Sequence, residues 1–153
     1  MRVFELKVPP VALAVVFAVV MWAVSTIFSA SSFPLPNASI VAFAFALGGG
    51  GIAAAGVSAF RQHHTTVNPM KPETTASIVT AGIYRVTRNP MYLGLTLALV
   101  GWAMYLANLA ALLIVPAFVA YMTRFQIKPE ERVLLAKFGP GFADYMAAVR
   151  RWI

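Results

Sequence analysis

Long apolar stretches separated by short polar or proline-bearing segments set the pattern of this chain. The first, Val8–Ser29, carries no charge. It is long enough to cross a bilayer, since about 20 apolar residues suffice as a helix. Pro9 and Pro10 suit its first turn, where a missing N–H costs little. A cleaved signal peptide is the weaker reading, because the run exceeds the usual roughly 7–15 residues and a cut after Ala30 would put bulky Phe28 where a small residue is expected. Ser31–Asn37, with Pro34 and Pro36 and no charge, reads as a tight connector to a second span at Ala38–Phe60. Small residues recur in that span at Gly49/Ala53, Gly50/Ala54 and Gly51/Ala55, a spacing that lets helix backbones approach closely in lipid. A phosphate-cradling role for Gly48–Gly51 is disfavoured, since the run lies mid-span and lacks a Lys-Ser/Thr ending.

Arg61–Pro90 is polar. Pro69 and Pro72 keep its first half from being helical, and Ser77–Arg88 reads as a short interfacial helix or turn. His63 and His64 are adjacent, so on a helix they point about 100° apart and do not share a metal. They read as interfacial residues, and no metal site is expected. The chain is then apolar from Met91 to Ala107 and from Leu109 to Met122. Each arm is short for a full span, and the pair predicts a tight helical hairpin with Asn108 at its tip and Pro116 kinking the returning arm. Arg124 and Lys128 mark the return to water. Pro129 sits where a first helical turn starts, with Glu130 and Glu131 at the positive end of the helix dipole. Gly139-Pro140-Gly141 stops that helix. Phe142, Tyr145, Met146 and Val149 then recur at three- and four-residue spacing opposite Asp144, which predicts an amphipathic segment on the membrane surface with Arg150, Arg151 and Trp152 as headgroup anchors.

The expected fold is therefore all-α: a polytopic membrane helical bundle of two spans, a C-terminal helical hairpin and interfacial amphipathic helices. We read 1–153 as one membrane domain, with two spans in 1–60, a cytosolic segment at 61–90, the hairpin at 91–123 and a cytosolic C-terminal segment at 124–153. Composition agrees, because 60% hydrophobic and 11% charged residues are too apolar for an ordinary soluble domain. The net charge of +7 is spread along interfacial segments without a nucleic-acid motif, so anionic lipid headgroups are the expected partners and nucleic acid is not. The absence of Cys removes thiol chemistry. With four crossings, every charged residue falls on one side. By the positive-inside rule both termini and Arg61–Pro90 are cytoplasmic, in a bacterial-type inner membrane.

On that side lie Gly82-Ile83-Tyr84, Arg88-Asn89-Pro90-Met91-Tyr92-Leu93-Gly94, Glu130-Glu131-Arg132-Val133-Leu134, Phe138-Gly139, Tyr145 and Arg150-Arg151. In this order they resemble the signature of the integral-membrane methyltransferases that include isoprenylcysteine carboxyl methyltransferases and phospholipid N-methyltransferases. The resemblance covers about the C-terminal half, and Asn89 stands where many members have His. It implies binding of S-adenosylmethionine, with Tyr84, Arg88, Asn89, Pro90, Tyr92, Gly94, Glu130 and Glu131 as cofactor-site residues. It also implies methyl transfer to a lipidic or amphiphilic carboxylate or amine. Composition and spacing alone imply neither.

The residue types suit that cofactor. Carboxylates accept from its diol or amine, a cation or amide meets its carboxylate, and aromatic walls take adenine. Asn89 can donate through its amide but carries no charge, so a binding role without acid/base work is expected. A carboxylate acceptor would be held by Arg150 or Arg151 in a bidentate fork, whereas an amine acceptor would use Glu131 or a His as base. The acceptor is expected to arrive sideways from the bilayer, between the hairpin and the second span. Singly, each residue has a plainer reading, as helix-start acid, interfacial cation or belt aromatic. The alternatives for the whole chain are a small scaffold, a four-helix transporter and an NADPH-dependent membrane reductase of related architecture. The transporter is disfavoured because the apolar segments hold no ionisable residue. Oligomeric state is not legible.

Overall fold

The computed structural model describes residues 5–62 and 72–153; the readings of His63, His64 and Pro69 fall outside them. The described residues are helical and form no strand, only an isolated bridge between Ser32 and Asn108. The chain is an all-α polytopic membrane bundle. Helix α1 spans Pro10–Ile27, with Pro10 in its first turn, and α2 spans Ala38–Gln62. Both are apolar on every side, and Val15, Val19, Phe43 and Leu47 remain exposed, as helices that meet lipid rather than water require. Among the described residues, three stretches are long and apolar enough to cross a membrane: Pro10–Ile27, Ala38–Gln62 and Leu109–Phe138. Helix α3, Pro90–Leu106, has 17 residues and reaches about 25 Å, short of a full hydrocarbon core.

Backbone proximity decides how α3 packs. A Cβ on Gly94 would lie 2.4 Å from the Gly49 carbonyl oxygen, and one on Gly101 would lie 2.9 Å from that of Ala42. One on Gly56 would lie 2.9 Å from Pro90 Cγ. Helices α2 and α3 are thus in close contact at three points along the seam. Of the three small-residue pairs, only Gly49/Ala53 faces α3, while Gly50 and Gly51 meet nothing within 4 Å. On an adjoining face of α3, Trp102 Nε1 donates to the Ala18 carbonyl at 2.9 Å, drawing α1 in.

Asn108 holds the hairpin tip. After Ala107 adopts a left-handed conformation (φ 44°), Asn108 caps the short helix α4, Leu109–Leu112, by accepting from Ala111 N–H at 3.1 Å. Its amide donates to the Phe28 carbonyl at 2.9 Å, fastening the tip to the α1–α2 connector. Pro116 does not kink a continuous arm. Helix α4 stops at Leu112, and Pro116 lies in the first turn of α5, Val115–Tyr121, where no N–H is missed.

A π-helical turn, Met122–Ile127, then runs directly into α6, Lys128–Phe138. Pro129 therefore follows helix instead of opening one. The Phe125 carbonyl, which would receive the N–H that Pro129 lacks, accepts from Leu6 N–H at 3.1 Å instead. That bond docks the N-terminal segment, where Glu5 pairs with Arg124 at 3.7 Å and with Arg132.

Candidate active site

At one end of the bundle a second apolar cluster forms from Val79, Tyr84, Phe142 and Tyr145. Gly82, at φ 60°, opens a single 3-10 turn, Gly82–Arg85, that carries Tyr84 inward. Gly139, at φ 56°, turns the chain from α6 into α7, Pro140–Ala148. The expected amphipathic segment is α7. Its apolar face, Phe142 and Tyr145, is buried against Val79 and Tyr84, because that packing removes it from water without lipid. Tyr145 donates its hydroxyl to the Tyr84 carbonyl at 2.8 Å. Burial pushes the Tyr145 phenol up to about 12 and the Tyr84 phenol further, so both stay neutral donors.

Arg88 ties this layer together. Its Nη1 donates to the carbonyls of Met146 at 2.5 Å and Val149 at 2.8 Å, and its Nη2 donates to Glu131 Oε1 at 2.8 Å. Its backbone N–H donates to the Arg150 carbonyl at 3.0 Å, and the Asn89 amide donates to the Arg151 carbonyl at 2.9 Å. Residues 146–152 are thereby strapped across the start of α3. Glu131 receives Arg151 as well, at 3.1 Å on Oε1 and 2.7 Å on Oε2. Trp152 Nε1 donates to Thr123 Oγ1 at 3.0 Å. Of the three expected headgroup anchors, Arg151 and Trp152 therefore turn inward, and Arg150 alone is exposed. The buried Glu131 carboxylate and the Thr123 hydroxyl, as acceptors, explain the difference.

Glu130 is held differently. Its Oε1 accepts from the Tyr92 hydroxyl at 2.5 Å and from Gln126 Nε2 at 2.8 Å, while no bond to the described residues reaches its Oε2. Beside it opens a cleft with about 840 Å³ of non-atom space, its open mouth included. Tyr84, Arg88, Asn89, Tyr92, Glu130 and Glu131 all line this cleft. Pro90 and Gly94 do not, since they face Gly56 and Gly49 in the α2–α3 seam. Arg151 stands behind Glu131, and Arg150 reaches the site only through its carbonyl.

Two buried polar atoms on the cleft lining, Arg88 Nε and Ser77 Oγ, have no partner among the described residues. A buried donor left unpaired costs about 1–3 kcal/mol, so a polar ligand there restores what folding leaves open. Apolar walls stand nearby, from Phe60, Ile78, Leu134 and Phe142. This set fits the cofactor implied by the resemblance: a carboxyl oxygen for amine or hydroxyl groups, unpaired donors for a carboxylate, and an aromatic surface for adenine. Ser77 and Gln126 were missed from sequence. Ser77 carries no local signal, whereas Gln126, one helical turn before Glu130, was the one polar uncharged residue beside the acid pair.

A family model described as phospholipid methyltransferase matches residues 37–141, which take in α2, the hairpin and both acids but end before the strap. An uncharacterized protein of Haemophilus influenzae is 43% identical over 63 residues, covering 41% of this chain and 100% of that protein. No solved structure matches. With more than half of the chain inside the family match, this integral membrane protein belongs to the phospholipid methyltransferase family.

Proposed function

We propose that the chain transfers a methyl group from S-adenosylmethionine to an amine-bearing amphiphile at the cytoplasmic face of the membrane. The observation that carries this reading is the pairing, in one cleft, of Glu130's open carboxyl oxygen with the unpartnered donors Arg88 Nε and Ser77 Oγ. Glu130 would accept from the cofactor's amine or ribose hydroxyls, Arg88 and Ser77 would meet its carboxylate, and Tyr84 with Phe60 would flank adenine. When bound, S-adenosylmethionine supplies a methyl carbon already activated by a sulfonium. The protein's share is then alignment and exclusion of water.

The charges favour an amine over a carboxylate acceptor. Both guanidiniums near the acids are committed to Glu131, and Arg150 does not line the cleft. With Arg88 Nε given to the cofactor, the described lining keeps no cation to hold an anionic acceptor. With S-adenosylmethionine bound, the amine's lone pair would form the new carbon–nitrogen bond as the carbon–sulfur bond broke, and the proton of the methylated amine would leave to water at the open mouth. Glu131 serves here as a positioning residue, since its oxygens already accept three N–H donors. Asn89, with its amide on the Arg151 carbonyl, holds the strap.

The test is incubation of the purified full chain with methyl-labelled S-adenosylmethionine and vesicles containing either phosphatidylethanolamine or a free fatty acid. Label is expected in the lipid phase with the amine headgroup. Label in the fatty acid alone would overturn the acceptor class. An absence of saturable cofactor binding, or displacement of the cofactor by NADPH, would overturn the methyltransferase reading.

A further inference from the structure

Glu130 sits at the end of an irregular piece of helix. Between Met122 and Ile127 the backbone winds as a π-helix, and single π turns inside α-helices are frequent at functional sites because they re-aim side chains. The consequence falls on Gln126. Its side chain is buried among Tyr92 and Glu130, with Nε2 at 2.8 Å from Glu130 Oε1 and 3.4 Å from the Tyr92 hydroxyl oxygen. Tyr92 reaches the same carboxyl oxygen from α3 at 2.5 Å. Two donors on two different helices thus converge on one oxygen of one carboxylate. A side chain with several free torsions is held in one rotamer, and the other oxygen is left for the cleft.

We propose that Gln126 is a positioning residue for the cofactor: together with Tyr92 it clamps Glu130 Oε1 so that Oε2 alone is offered to the ligand's hydroxyl or amine groups. This rests on the reading of the cleft as an S-adenosylmethionine site. The clamp differs from the neighbouring Glu131 arrangement, in which both oxygens are taken by guanidiniums. Adjacent carboxylates in one helical turn therefore divide the work. Glu131 closes the protein on itself, and Glu130 is kept open toward the ligand. A plain structural role for Gln126 would need only one satisfied amide. The convergence with Tyr92 on a single oxygen, with the second left open, is what such a role does not require.

The test is a double-mutant cycle on the full chain in detergent, reading the Kd of S-adenosylmethionine by calorimetry, with Gln126→Met, Glu130→Ala and the pair. Met keeps the volume of Gln without a donor. Gln126→Met is expected to weaken binding on the order of tenfold, as loss of one hydrogen bond to a charged group does. In the Glu130→Ala background the same change is expected to have little further effect, and Gln126→Met enzyme should raise the cofactor KM with the acceptor KM unchanged. Additive losses in the cycle would overturn the clamp while leaving the cofactor site standing. A Glu130→Ala protein that binds as tightly as the parent would overturn the site itself. Should Gln126→Met fail to fold, Tyr92→Phe removes the other donor, and it should be equally non-additive with Glu130→Ala.

Discussion

The strap across the start of α3 takes two of its hydrogen bonds from one guanidinium, which makes Arg88→Lys a sharp perturbation of this layer. Arg88 reaches Met146 and Val149 carbonyls with Nη1 and Glu131 with Nη2, and the pair is nearly out of water, at 9% and 10% side-chain exposure. A lysine keeps the charge but donates from a single point, so it serves the carboxylate or the carbonyls and not both. Losing one arm of charge-assisted hydrogen bonds costs about 1.5–3 kcal/mol. That corresponds to a roughly 10- to 100-fold rise in the fraction of molecules with the strap open. Arg150 is exposed at the strap, but the carbonyls of residues 149–151 are all engaged, so trypsin needs the open form. Under conditions where opening equilibrates faster than cleavage, cutting after Arg150 or Arg151 should speed up by that same factor. Helical content by circular dichroism should stay unchanged, since α1 to α3 do not depend on the strap. Unaltered cleavage in a folded Arg88→Lys protein would refute the reasoning.

The hairpin and the seam offer further checks. Gly94→Ala should destabilise the protein by about 1–3 kcal/mol, because the added Cβ would lie 2.4 Å from the Gly49 carbonyl, whereas Gly50→Ala should be near neutral; thermal unfolding in detergent separates them. Asn108→Ala should cost about 2–4 kcal/mol in the same assay, from loss of the α4 cap and of the donor to the buried Phe28 carbonyl. Burial raises the Tyr145 phenol from its ordinary value of 10.0 to about 12, and a raised folded-state pKa means stability that is present below pH 10 and lost as pH climbs through 12. An ultraviolet tyrosinate titration should show late ionisation together with release of the strap, and ordinary ionisation at pH 10 in the folded protein would contradict it.

The spans were legible because lipid imposes one crude demand, an uncharged apolar run of sufficient length, and Val8–Ser29 and Ala38–Phe60 meet it. The convergence of the Arg88–Tyr92 corner with Glu130 and Glu131 on one cleft was also foreshadowed, through order along the chain and a common membrane side. What sequence concealed were choices between two satisfactory environments for the same residue. An amphipathic Phe142–Val149 face can be covered by lipid or by protein, and periodicity is identical in the two cases. Arg151 suits a phosphate headgroup as well as Glu131, and only the fold shows that Glu131 is within 2.7 Å. The π turn was hidden for another reason: it arises where Pro129 removes a donor at the foot of a returning helix, and the compensating Leu6 N–H comes from more than a hundred residues away.

These contacts also explain how the cleft is held in register with the apolar spans. Pro90 is wedged against Gly56 in the α2–α3 seam, so the residues on either side of it are fixed relative to the spans. Arg88 and Asn89, just before it, hold the strap, and Tyr92, just after it, holds Glu130. Five consecutive positions thereby connect the membrane packing, the C-terminal cover and the open carboxylate. A substitution at Gly56 should therefore be felt in the cleft although Gly56 does not line it. Gly56→Val, which must displace Pro90 from 2.9 Å, should weaken S-adenosylmethionine binding and loosen the strap together. If it lowered thermal stability alone, with cofactor affinity and strap proteolysis unchanged, the seam and the site would be mechanically separate.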